Sequence, residues 1–156
     1  MSKPLGVGLR AELQIACADN SIPENTEFTH WLQTCFVEEA GQSVVVRIVE
    51  TAESAALNQQ YRHKSGPTNV LSFPFAAPLN VPDDHLGDLV ICAPLVSREA
   101  LQQNKPVLHH WAHLLIHGVL HLQGFDHIEP EEAQEMEFRE IKMLARLGIP
   151  DPYSVE

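Results

Sequence analysis

The chain is short of cysteine, of basic side chains and of long apolar runs, and each shortage argues against a class of protein. Three cysteines, Cys17, Cys35 and Cys92, stand among 156 residues, odd in number and never in CxxC spacing. That argues against a disulfide framework and against a cysteine-based zinc site, and for buried thiols in a reducing compartment, read here as the cytoplasm. The longest apolar run, Leu89 to Val96, is broken by Pro94 and is far too short to span a bilayer. Nothing near Met1 resembles a signal peptide, so no membrane partner is expected. Lys and Arg number 10 against 21 Asp and Glu, a formal net charge of −11. Non-specific nucleic-acid binding draws its affinity from phosphate neutralisation, so DNA is not an expected partner and any RNA contact must rest on a local basic patch. Aromatic residues are scarce too, with several spaced like core positions, and no base-stacking platform is visible.

What is present fits one domain over residues 1–156, with 44% apolar residues and no repeat or low-complexity linker. Leu9 to Cys17 alternates apolar and polar residues, the period of a half-buried strand. Phe28, Trp31, Leu32, Cys35 and Phe36 mark one face of a helix ending near Gly41. Ser43 to Glu50 is β-branched and strand-like, Ala52 to Tyr61 reads as a helix, and strands follow around Val70 to Phe75 and Gly87 to Ala93. Ser97 is placed to cap a brief helix that Pro106 interrupts, before a long apolar helix running to Gly124. The last helix opens at Pro130 with Glu131, Glu132 and Glu135 at its positive end, and stops at Gly148. The Glu-rich stretch 129–140 reads most simply as a solvated face, with a protein-binding surface as the alternative. The expected fold is α+β: a small mixed sheet of about four strands packed with about five helices.

Six of the nine histidines fall between His109 and His127. In HGVLHLQGFDH, His117 and His121 are four apart, so a helix sets both imidazoles on one face about 5–6 Å apart at Cβ. Gly124 supplies a helix stop, and the reversal lets His127 swing back as a third ligand. Three imidazoles around zinc leave a position open for water, the arrangement of a catalytic site. Each ring should donate its other N–H to a partner, and Asp126 or a backbone carbonyl can serve. His113 lies one turn before His117 and reads as a core or supporting residue; His109 and His110 read as surface. The expected site is thus a zincin-like metal site on a helix and the turn that follows it. Three imidazoles also suit nickel, copper or iron.

The spacing overlaps the zinc-peptidase pattern HExxHxxGxxH, with His117, His121, Gly124 and His127 in register. Gly118 stands where that pattern carries its general-base glutamate, which makes peptidase chemistry the least expected hydrolysis.

The stretch HLLIHGVLHLQGFDH resembles the signature of the YbeY family of metal-dependent endoribonucleases, proteins implicated in ribosomal RNA maturation. LNQQYRHKSGPTNVLSFPF (57–75), LGDLVIC (86–92) and EPEEAQEME (129–137) look like the same family, in the same order. The resemblance implies that His117, His121 and His127 are the metal ligands, that Arg62 and His117 serve catalysis, and that a cleft in a compact α+β fold holds the metal. It also implies ribosomal RNA and the small ribosomal subunit as partners, and leaves room for protein partners in ribosome assembly. Phe125 stands where the family often has Tyr. Beside the resemblance, a guanidinium at Arg62 can pair with a phosphate and stabilise charge developing on phosphorus, although its bland reading is an exposed residue in a weak surface ion pair. Lys64 would add local positive potential. Thr68 and Asn69 suit either substrate contact or turn duty.

The expectation is a zinc-dependent endoribonuclease specific for single-stranded RNA, working in ribosomal RNA processing and quality control. Its nucleophile is a zinc-bound water or the RNA's own 2′-hydroxyl, with Asp126 a weak candidate base. Two alternatives stay open: a non-catalytic ribosome-assembly factor with a structural metal, and a metal-dependent hydrolase of another substrate.

Overall fold

The β-branched run SVVVRIV forms the spine of the sheet. The structure is a computed structural model that describes residues 8–75, 84–126 and 128–153. Its strands are β1 (Arg10–Ala16), β2 (Ser43–Val49), β3 (Val70–Pro74) and β4 (His85–Cys92), in the order β1-β2-β4-β3. β2 runs parallel to both β1 and β4, while β3 pairs antiparallel with β4 and forms an edge. The helices are α1 (Asn25–Cys35), α2 (Thr51–Arg62), α3 (Ala93–Gln102), α4 (Val107–Leu122) and α5 (Pro130–Arg146). The mixed α+β expectation holds, with four strands and five α-helices among the described residues.

Strand side chains alternate between faces, and the two faces serve different cores. Val44, Val46 and Ile48 of β2 with Leu89 and Ile91 of β4 join the larger core, beneath α1, α4 and α5. Val49, Leu71, Val90 and Cys92 point the other way, onto Leu57 of α2 and Leu95 of α3. α4 supplies the centre of the larger core: Trp111, Leu115, Ile116, Val119 and Leu120 are fully buried. No helix among the described residues is long and apolar enough to cross a membrane.

Two local expectations need correction. α3 begins at Ala93, directly after β4, with Pro94 in its first turn, so Ser97 sits inside the helix rather than capping it. The proline that breaks the apolar run starts that helix, because its fixed φ suits the first turn and its missing N–H has no helical partner there. The glutamate-rich face of α5 is not wholly solvated either. Met136, Glu140 and Leu144, four apart, are its buried stripe.

Candidate metal centre and its cleft

On α4, the sheet-facing side is filled by large apolar residues, which leaves His113, His117 and His121 as a half-buried stripe along another face. The Nε2 atoms of His117 and His121 stand 3.1 Å apart. Two imidazole ligands on a tetrahedral ion at about 2.0–2.1 Å would stand about 3.3 Å apart, so the pair converges as a metal's ligands would. The opposite nitrogen of His117, Nδ1, lies 2.7 Å from Glu140 Oε2. His113 Nε2 lies 2.7 Å from Glu140 Oε1, and the Tyr153 hydroxyl donates to that same oxygen.

Glu140 is thus fully buried and accepts three hydrogen bonds. Burial acts to raise its carboxyl, but the hydrogen bonds from His113, His117 and Tyr153 outweigh it and hold the group at about 2. Burial, and then the carboxylate beside it, push the Tyr153 phenol well above its ordinary value. An ionised carboxylate can only accept, so His117 donates its Nδ1–H to Glu140, which leaves Nε2, the atom that faces His121, as the ring's ligand nitrogen. His113, His117 and Glu140 also bring ligand atoms within 4.8 Å of one another, a group that could hold a metal ion. The 2.7 Å contacts are hydrogen-bond lengths, however, and favour Glu140 as the acceptor that orients the rings.

Gly124 ends the helix as its sequence position requires. It has φ +99°, and the Phe125 N–H returns to Leu120 O at 3.0 Å. The reversal sets Phe125 and Asp126 on the wall of a cleft of about 800 Å3. His127, the expected third ligand, lies outside the described residues. Gly118 faces away from this cleft: a Cβ there would lie 2.8 Å from Leu89 Cδ2 and 3.4 Å from Val70 Cγ2. A glutamate at this position would strike the sheet rather than reach the site.

His117, His121, Asp126 and Arg62 line the same cleft, whose other wall is the edge strand β3. Arg62 is the last residue of α2, and His63 ends that helix in the left-handed conformation with φ 57°. The following loop is pinned back on α2. Asn58 Nδ2 donates to Gly66 O at 2.9 Å, and Ser54 Oγ donates to Thr68 O at 2.8 Å while accepting from Thr68 N–H at 3.0 Å. Asn69 Nδ2 donates to Glu99 Oε1 at 3.1 Å. These bonds give Thr68 and Asn69 turn duty beside the cleft that Arg62 lines. Its exposed guanidinium carries no ion pair among the described residues.

His110 corrects another expectation. It is 4% exposed, with Nε2 2.8 Å from Glu99 Oε1, because α3 packs across the start of α4 and covers it.

Sequence reading missed Glu140 and Tyr153. A carboxylate midway between Met136 and Leu144 on an apolar stripe was the available signal, since such a group must find donors.

The family model described as endoribonuclease YbeY matches residues 14–148. The chain belongs to that family. A relative from Methylococcus capsulatus (strain Bath), named endoribonuclease YbeY, is 57% identical over 134 residues, which cover 86% of this chain and 89% of the relative. The solution structure of TM1509 from Thermotoga maritima shares the fold, with a TM-score of 0.52 and 22% identity over 94% of this chain and 99% of that one. Against the family pattern, Phe125 has its ring under the Arg139 guanidinium, 4.5 Å from the centroid, so its face is engaged by α5.

Proposed function

We propose that this chain is a zinc-dependent endoribonuclease that cuts single-stranded RNA and acts on ribosomal RNA, at the small subunit, in maturation and quality control in the cytoplasm. One observation carries the reading: a convergent imidazole pair and a guanidinium without an ion pair among the described residues line one cleft. The Methylococcus capsulatus relative, named endoribonuclease YbeY, supports it.

His117 and His121 would hold the ion through Nε2, with His127 as third ligand from its place in the motif. When bound, the ion supplies Lewis-acid polarisation of a phosphoryl oxygen. The chain's own residues do the rest. Glu140 keeps the Nδ1 proton on His117, so the ring presents a lone pair and a fixed orientation. Arg62 pairs with the non-bridging oxygens of the scissile phosphate and opposes the charge that develops there. Asp126, half-buried on the cleft wall, is the carboxylate placed to take a proton from the attacking hydroxyl. The buried Gly118 leaves no such group on α4.

The test is cleavage of one RNA sequence presented single-stranded and as a duplex, with and without chelator. Cutting of the single strand alone, abolished by chelation and restored by zinc, supports the reading. A 2′,3′-cyclic phosphate on the products assigns the attack to the 2′-hydroxyl. A purified protein that binds zinc and cuts neither form overturns it in favour of an assembly factor.

A further inference from the structure

The residue beside Arg62 has no role in the site as described. Tyr61 lies in the last turn of α2, 56% exposed, although its ring is large and mostly apolar. It is braced from one side: Phe73 of β3 meets it edge to face, with centroids 5.1 Å apart and planes at 72°. Both rings line the cleft that His117, His121 and Arg62 line. Most other large aromatic rings are spoken for; Phe28, Phe36, Trp31 and Trp111 lie in the core.

An edge-to-face contact uses one surface of an aromatic pair and leaves the other open. The chain around it is locally basic, with Arg62 and Lys64 exposed beside Tyr61 in a protein of net charge −11. A planar apolar surface next to an exposed guanidinium matches a nucleotide, whose base stacks on rings while its phosphate pairs with arginine. A duplex buries its bases in the stack and cannot offer one. We propose that Tyr61, braced by Phe73, is the platform on which an unpaired base of the RNA stacks while Arg62 engages a neighbouring phosphate. The proposal rests on the endoribonuclease reading and assigns the preference for single strands to one residue. It also replaces the expectation that no stacking platform exists.

The test uses the metal-loaded protein and an oligoadenylate as probe. Tyr61→Ala should raise KM about tenfold or more while kcat changes little, and Tyr61→Phe should recover the wild-type KM because the ring is what binds. Tyr61→Trp adds a direct signal. Trp31 and Trp111 are 6% and 0% exposed, so only the new indole is open to a base, and oligoadenylate should quench it where an RNA duplex does not. An unchanged KM in Tyr61→Ala, or an indole indifferent to oligoadenylate, overturns the stacking proposal and leaves the nuclease standing. If the wild type does not cut and the Tyr61→Trp variant is not quenched, the nuclease reading and the proposal fall together.

Discussion

Glu140 accepts a hydrogen bond from His117 Nδ1–H, with Nδ1 and Oε2 2.7 Å apart, from a fully buried position on α5. The contact joins the last helix to the metal-binding face of α4, and it makes the lone pair on His117 Nε2 a property of the fold rather than of the helix alone.

Replacing that carboxylate should therefore weaken metal binding without unfolding the chain. In Glu140→Gln only one oxygen remains to accept from both His113 and His117, so one ring must adopt the other tautomer. Zinc affinity, measured by competition with a chromophoric chelator, should fall about 10- to 100-fold. Circular dichroism should stay native.

The same group sets a pH dependence for the metal-free protein. Its carboxyl ordinarily titrates near 4.5 and is held at about 2 in the folded chain. The unfolded chain binds the extra proton between those values, so the contribution is complete above pH 4.5 and drains away as pH falls towards 2. The loss should be about 3 kcal/mol, seen as a falling urea midpoint across that window. Glu140→Gln should flatten that segment of the profile.

Tyr153→Phe removes one of the three donors to Glu140 and leaves the ring. Stability should drop by about 2 kcal/mol, the value of a hydrogen bond to a charged acceptor, in chemical denaturation.

Gly118→Glu would complete the HExxH pattern yet should not create a peptidase. The new Cβ meets Leu89 Cδ2 at 2.8 Å, on the sheet side of α4. The expected result is destabilisation by about 3 kcal/mol or more, with no casein hydrolysis. A stable variant with peptidase activity would place residue 118 in the cleft.

Much of this was readable in the chain because it depends on local spacing. The period-2 run of β1, the β-branched run of β2 and the i, i+4 histidines of α4 are short-range patterns, and Gly124 needs only its own φ. The failures involve partners far apart in sequence. His110 is buried because α3 covers it, and Glu140 is 23 residues from His117. Tyr61 and Phe73 meet only because β3 returns antiparallel along β4 beside the end of α2. Gly118 reads as a lost catalytic glutamate until α4 is seen against Leu89.

The most direct measurement is zinc stoichiometry alongside RNA cleavage for the wild type, His121→Ala and Arg62→Glu. The account predicts one zinc per chain in the wild type and in Arg62→Glu, loss of zinc in His121→Ala, and loss of cleavage in both variants. Full zinc occupancy in His121→Ala, or cleavage that survives Arg62→Glu, would contradict it.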